Sequence, residues 1–127
     1  MILGVGVDAI DIARIEHMFA RYGTRMLERL FTRAELAYLS TKAFPAQHIA
    51  VRLAAKEAAY KALSGNDAAR AIGWREVEVM SRSDGAPELR LHDRAAARFA
   101  ELRGARVHVT LTHSQATAVA VVIVEGL

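Results

Sequence analysis

A lysine–glutamate pair within an apolar helical stretch is the part of the chain best suited to carry chemistry. Lys56 and Glu57 stand among alanine, valine and bulkier apolar residues, and Lys61 follows one helical turn later. On a helical wheel Glu57 and Lys61 share one edge of the bulky stripe, and Arg52 and Lys56 share the other. A helix that is apolar nearly all round is a buried helix. Charged groups on it need partners, because an unpaired one costs several kcal/mol.

A second carboxylate, that of Asp8, follows an alternation of large apolar residues and glycine. This alternation predicts a buried strand over residues 2–8 that ends at Asp8. Two carboxylates from separate elements suit Mg²⁺, which leaves its other positions to water and phosphate oxygens. With basic residues nearby, the set suits phosphoryl transfer. Two structural interpretations stay open, a helix-stabilising Glu57–Lys61 pair and an Asp8 that caps the next helix.

The remaining elements must hold these residues in place. Apolar periodicity and capping signals predict helices over residues 10–22, 32–39, 48–64 and 92–102. Alternation predicts strands over residues 2–8, 74–80, 87–91, 106–112 and 117–125, with a loop at 43–47 and a turn at 83–85. The order βααα-ββ-α-ββ predicts an α+β fold, a single domain over residues 1–127 with a mostly antiparallel sheet packed on the long helix.

Composition narrows the possible function classes. The chain has no cysteine, which excludes disulfides and thiolate chemistry and fits a reducing cytoplasm. No basic leader and no apolar run long enough to cross a bilayer is present, so we expect a soluble cytoplasmic protein. A net charge of +3 permits an acidic partner, a nucleic acid or a phosphorylated ligand.

At this point the residues resemble a known family, the holo-acyl-carrier-protein synthases among the phosphopantetheinyl transferases. The resemblance runs nearly end to end, and its motifs occur in order and at the right separations. They are Gly4-Val-Gly-Val-Asp8 followed by Arg14, Phe31-Thr-Arg-Ala-Glu35-Leu, Arg52-Leu-Ala-Ala-Lys-Glu-Ala-Ala-Tyr-Lys61-Ala, Asp84-Gly-Ala-Pro87 and Val107-His-Val-Thr-Leu-Thr-His113-Ser.

The resemblance implies a reaction. The 4′-phosphopantetheine arm of coenzyme A passes to a serine of an acyl carrier protein, and adenosine 3′,5′-bisphosphate leaves. Asp8 and Glu57 match the two Mg²⁺ ligands, and Lys61 matches a lysine near the transferred phosphate. Arg52 and Lys56 match motif positions that either bind phosphate or brace the helix.

The resemblance also implies a partner and an assembly. Family members are homotrimers with the site between subunits. Gly85 and Pro87 match a turn that lines the coenzyme pocket. His108, Thr112 and His113 would reach the pocket from the edge shared between subunits. Carrier proteins are acidic, and they would dock on a basic stripe with one apolar knob along the first helix. The stripe comprises Arg14, Met18, Arg21 and Arg25.

Two rival functions remain open. A magnesium-dependent phosphodiesterase would use the same two carboxylates. A nucleic-acid-binding module is favoured by the sequence pI of 9.7. It is disfavoured by an aromatic content of 6% and by the lack of a basic–aromatic stacking motif.

Overall fold

A computed structural model describes all residues, 1–127, and confirms the α+β class with antiparallel strand pairing. The strands are β1 (Ile2–Asp11), β2 (Val77–Ser81), β3 (Pro87–Leu91), β4 (Gly104–His113) and β5 (Thr117–Gly126). The helices are α1 (Ile12–Tyr22), α2 (Thr24–Leu30), α3 (Arg33–Leu39), α4 (Pro45–Ala62), α5 (Asp67–Arg70) and α6 (Asp93–Glu101). None of the helices combines the length and the apolar character that crossing a lipid bilayer requires.

The strands form two sheets rather than one. The larger sheet has the order β1-β5-β4, and β2 and β3 form a separate hairpin. Helix α4 packs against the larger sheet, and its buried face confirms the prediction of a buried helix. Strand β1 approaches it so closely that a Cβ on Gly6 would lie 1.8 Å from the Ala58 carbonyl oxygen. A Cβ on Gly4 would lie 2.0 Å from that of Ala62. The two glycines therefore allow the contact that brings β1 alongside the charged part of α4.

Three element boundaries differ from the sequence predictions. Strand β1 continues to Asp11, which is the residue before α1, so the interpretation of Asp8 as a helix cap is wrong. Helix α4 begins at Pro45 rather than after the predicted loop, because proline is well suited to the first helical position. Residues 74–76 form a 3-10 turn rather than strand, and the Glu76 carboxylate closes it by accepting a hydrogen bond from Gly73 N at 2.8 Å.

Two short helices were not predicted. Gly23 ends α1 as expected, but the chain resumes helix at once as α2, which buries Met26 and Leu27. Helix α5 is a single turn that begins after Asn66, whose side chain accepts a hydrogen bond from Ala69 N. Both helices are too short for a clear apolar period, so the sequence carries little signal for them.

The two faces of the larger sheet differ in burial. The inner face joins the helices in a core of 27 buried apolar residues. The outer face has no covering layer, and Ile2, Val5 and Val7 are 63%, 58% and 53% exposed. The prediction that β1 is a buried strand therefore holds for its inner face alone.

Candidate active site

Asp8 and Lys61 are joined across the β1–α4 contact. Asp8 pairs with Ala120 of β5, which is fully buried, so its side chain lies on the inner face of the sheet, toward α4. Lys61 Nζ lies 3.1 Å from Asp8 Oδ1 and donates a hydrogen bond to the Val7 carbonyl oxygen at 2.9 Å. No ion pair joins Glu57 to Lys61, so the helix-pair interpretation is replaced by a bond between elements.

Glu57 stands beside the same aspartate. The pKa of the Glu57 carboxyl is raised from its ordinary value of 4.5 to about 7. Burial is the largest cause, followed by a hydrogen bond with the Asp8 carboxylate and its negative charge. Lys61 and Arg14 lower the pKa of Glu57 in part. A carboxyl whose pKa is raised by burial and by a neighbouring carboxylate marks a place where a cation is favoured.

The donor set fits a magnesium ion. While Glu57 is ionised, Asp8 Oδ2 is buried without a hydrogen-bond partner, and such an oxygen is costly unless a cation completes its environment. No group of three or more His, Cys, Asp or Glu side chains is placed to hold a metal. Mg²⁺ needs only one or two carboxylates, because water and phosphate oxygens complete its shell. Asp8 and Glu57 are therefore the residues that would hold it.

A cleft opens next to the two α4 residues of this site. Its volume is about 380 Å³. One wall is α4, and the other is the segment that leads into β2. The lining residues are Lys56, Glu57, Tyr60, Lys61, Ile72, Gly73, Trp74 and Val77.

The ammonium group of Lys56 is not available to bind a ligand in the cleft. Its side chain is 1% exposed, and its ammonium group donates to Glu35 Oε1, Trp74 O and Val77 O. A lysine has three donors, and all three are used. Of the two roles considered for Lys56, the structure supports bracing of the helix rather than phosphate binding.

Arg52 lies in different surroundings, on the other edge of α4. Its residue is only 6% exposed, its Nε is buried without a hydrogen-bond partner, and it forms no ion pair. The guanidinium stacks on the Tyr38 ring at 3.9 Å. A buried cation without a counter-charge is expensive, so this position favours an anion.

Two further basic groups lie beside the same tyrosine ring, and a third, His113, lies close to His48. Lys42 Nζ lies 4.6 Å from the ring centroid, and the His48 ring lies 6.1 Å from it. The pKa of His48 is lowered, first by burial and then by the charges of Lys42, Arg52 and His113. We call Lys42, His48, Arg52 and His113 the basic cluster. The sequence analysis missed Lys42 and His48 here, although His48 precedes Arg52 by one helical turn.

Other residues proposed for the coenzyme pocket lie apart from Asp8 within one chain. His108 and Thr112 pair with Ile123 and Val119 of β5, which places them on the outer face of the sheet. His108 Nε2 lies 2.9 Å from Glu125 Oε1. Because Asp8 is on the inner face, the sheet separates it from both residues. Gly85 and Pro87 lie at the β2–β3 turn, where Gly85 adopts a φ of 87° that favours glycine.

Three of the four residues of the predicted basic stripe line a groove on α1 and α2. An open groove of about 620 Å³ is lined by Met18, Arg21, Tyr22, Arg25, Met26, Arg29 and Leu30. Arg14 lies outside this groove, close enough to Glu57 to lower its pKa. Arg29 was not predicted, because it belongs to the unpredicted helix α2. The groove combines three arginines with an apolar floor.

Comparison with known proteins agrees with this arrangement. The model of the ACPS family, described as the 4′-phosphopantetheinyl transferase superfamily, matches residues 4–121. A holo-[acyl-carrier-protein] synthase of Geobacter metallireducens is 43% identical over 125 residues, which are 98% of each chain.

Solved structures agree in fold. The holo-[acyl-carrier-protein] synthase of Neisseria meningitidis has a TM-score of 0.87 at 27% identity and covers 98% of this chain and 99% of its own. The Bacillus anthracis synthase, solved in complex with CoA (3′,5′-ADP), has a TM-score of 0.80 at 29% identity and covers 100% of this chain and 99% of its own. A family match over nearly the whole length, joined to a paired-carboxylate site on the expected strand and helix, shows that the chain belongs to the 4′-phosphopantetheinyl transferase superfamily.

Proposed function

We propose that this protein transfers the 4′-phosphopantetheine group of coenzyme A to a serine hydroxyl of an apo acyl carrier protein, with Mg²⁺ as cofactor. The serine oxygen forms a bond to phosphorus, and the bond to adenosine 3′,5′-bisphosphate breaks. The observation that carries the proposal is the buried Asp8 Oδ2, which has no hydrogen-bond partner, beside the Glu57 carboxyl, whose pKa is raised to about 7 by burial and by Asp8. The names of the relatives, synthases of holo-acyl-carrier-protein, support the same reaction.

Each site residue has a role in this proposal. Asp8 and Glu57 hold the metal, which would neutralise charge on the coenzyme diphosphate when bound. Lys61 orients Asp8 through their ion pair. Its side chain is 53% exposed, so it also reaches substrate and offsets charge on the transferred phosphoryl oxygens.

The basic cluster serves a different phosphate. Besides its diphosphate, coenzyme A carries a 3′-phosphate on the ribose. Arg52 lacks a counter-charge in the chain, and Lys42 and His48 lie beside it without a carboxylate partner. A phosphate monoester supplies the charge that this group of side chains lacks. We assign the 3′-phosphate to the basic cluster.

The proposed assembly is a homotrimer with sites shared between subunits, and the different burial of the two sheet faces supports it. His108 and Thr112 cannot reach Asp8 of their own chain, because the sheet lies between them. A neighbouring copy seated on the uncovered outer face would bring its own Asp8 and Glu57 to these residues. The exposed Val5 and Val7 on that face also gain from burial against a second copy.

The groove on α1 and α2 is the proposed docking surface for the carrier protein. Its arginines, Arg21, Arg25 and Arg29, complement an acidic helical partner, and Met18 supplies an apolar contact. Arg14, one helical turn before Met18, is close enough to Glu57 to lower its pKa, so the basic residues of α1 extend from the groove toward the site. Rim charges of this kind mainly steer association.

The deciding experiment is mass spectrometry of an apo acyl carrier protein after incubation with the protein, coenzyme A and Mg²⁺. A transferase adds the mass of the arm to the carrier, whereas a phosphodiesterase cleaves coenzyme A and leaves the carrier unchanged. Glu57→Gln should abolish labelling. Glu28→Gln, at an exposed residue of α2 that forms no ion pair, is the control and should label normally. A gel shift with nucleic acid in the absence of labelling would support the binding-module alternative instead.

A further inference from the structure

The best-buried ion pair of the chain lies directly behind the cleft. Glu35 of α3 and Lys56 of α4 are each 1% exposed, and Lys56 Nζ lies 2.8 Å from Glu35 Oε1. In every other ion pair at least one side chain is more than 40% exposed. Burying two charges is costly, and an apolar pair in their place is often as stable or more stable. Stability alone therefore does not account for this pair.

The pair holds three parts of the chain at fixed distances. Glu35 Oε1 accepts a hydrogen bond from Thr32 N at 2.9 Å, and Glu35 Oε2 accepts one from Val79 N of β2 at 2.9 Å. Lys56 Nζ donates to Trp74 O at 2.9 Å and to Val77 O at 2.5 Å. Helices α3 and α4 and the start of β2 thus meet at one point.

The two carbonyl groups bound by Lys56 belong to a wall of the cleft. Trp74 and Val77 line one side, and Glu57 and Lys61 line the other. The two bonds from Lys56 are the hydrogen bonds that connect α4 with residues 74–77. Lys56 precedes the metal-binding candidate Glu57 in sequence, so a shift of one wall changes the cleft at the site itself.

We propose that the Glu35–Lys56 pair is a positioning device that fixes the Trp74 wall against Glu57 and Lys61 and thereby sets the affinity for coenzyme A. The inference rests on the proposed function, since the cleft is taken to receive part of the coenzyme. Neither charged group contacts substrate, because the Lys56 ammonium and the Glu35 carboxylate are bonded to groups within the chain. The pair acts through the backbone of residues 74–77. Arg21 and Arg25 of the docking groove form no hydrogen bond or ion pair with that segment, so we expect the affinity for the carrier protein to stay unchanged.

The test is the double variant Glu35→Gln/Lys56→Met. It removes both buried charges together and keeps an amide oxygen that can accept from Val79 N. We expect a folded protein whose KM for coenzyme A rises about tenfold, within the roughly hundredfold that a displacement of about 1 Å can cost. The KM for carrier protein should stay unchanged. Trp74 is the only tryptophan, so its fluorescence should report the altered wall directly.

A matched control lies just after the C-terminus of α4. Arg98 of α6 donates to Glu101 Oε1, Leu63 O and Ser64 O, which are again one carboxylate and two backbone carbonyls. These groups do not line the cleft. Arg98→Met/Glu101→Gln should therefore leave the KM for coenzyme A unchanged. If the methionine variant does not fold, Glu35→Gln/Lys56→Gln carries the same prediction, because glutamine is too short to reach both carbonyls.

The possible results separate the two proposals. An unchanged KM for coenzyme A in the folded double variant overturns the positioning role. So does an equal rise of both KM values, or an equal rise in the Arg98 control. If the wild-type protein labels no carrier at all, it is the proposed function that fails.

Discussion

Replacing Glu57 by glutamine should make the metal-free protein more stable at pH 8. The pKa of Glu57 in the folded chain is about 7, above its ordinary value of 4.5, so the folded state binds the proton more tightly than the unfolded state. Stability is therefore greatest where Glu57 is protonated, and it falls as the pH rises from 4.5 through 7. At pH 8 the ionised carboxylate opposes folding. Glutamine imitates the protonated form and can donate to the unpaired Asp8 oxygen.

The size of the effect follows from the pKa difference. A shift from 4.5 to about 7 corresponds to roughly 3 kcal/mol at most, at about 1.4 kcal/mol per pH unit. Glu57 is only half-buried, and solvent screening reduces this to about 1–2 kcal/mol. For a domain of this size that gain raises the Tm by about 4–8 °C.

The assay is urea unfolding of wild type and Glu57→Gln in EDTA, at equal protein concentration and at pH 8 and pH 5. The variant should be more stable at pH 8, and most of the difference should disappear at pH 5, where the folded wild type is already protonated. Mg²⁺ should stabilise the wild type at pH 8 and leave the variant unchanged. Glu28→Gln controls for the loss of one negative charge. A variant that is less stable than wild type at pH 8, or equally stabilised at both pH values, would refute the reasoning.

Three further predictions concern the substrates and the assembly. Arg52→Gln should raise the KM for coenzyme A about 10- to 100-fold by removing a charged hydrogen bond to phosphate, with the KM for 3′-dephospho-coenzyme A unchanged in steady-state kinetics. Arg21→Glu should raise the KM for carrier protein about tenfold at low salt, and the effect should fade as salt is added, with little change for coenzyme A. Val7→Asp should prevent assembly of the trimer, which sedimentation measures as a smaller species with little activity, because it places a charge on the uncovered sheet face.

Each of these predictions has a contrary outcome. Equal effects of Arg52→Gln on both coenzymes would remove the 3′-phosphate from the basic cluster. An Arg21→Glu effect that is independent of salt, or shared equally by both substrates, would count against docking on the groove. A Val7→Asp protein with wild-type size and activity would show that the outer face is not the subunit interface.

Local patterns in the sequence predicted the class of the fold and the position of its long elements. These patterns involve residues close together in the sequence. They are the alternation in β1, the apolar character of α4 and the alternation in segments 106–112 and 117–125. They are strong because one face of each element is buried. Short elements such as α2 and the 3-10 turn at residues 74–76 lacked such a period. Helix α2 is held by the burial of Met26 and Leu27, and the turn is closed by hydrogen bonds from Gly73 N and Arg94 to the Glu76 carboxylate.

The roles of charged residues could be predicted only in part. The sequence indicated that the charges of α4 needed partners, and it selected Asp8 and Glu57 as a pair. It did not indicate that Lys61 would bond to Asp8 rather than to Glu57. Nor did it show that Lys56 would pair with Glu35. The two acidic partners, Asp8 and Glu35, come from segments that are distant from α4 in the sequence.

The sequence by itself determined which side chains could do chemistry, since residue type and helical or strand spacing fix the face on which each one lies. Only the tertiary structure decided which of these side chains meet. Gly4 and Gly6 let β1 approach α4 so closely that Asp8 and Lys61 touch. The same sheet separates Asp8 from His108. Their partners on β5 are Ala120 and Ile123, and residues three positions apart on a strand point to opposite faces.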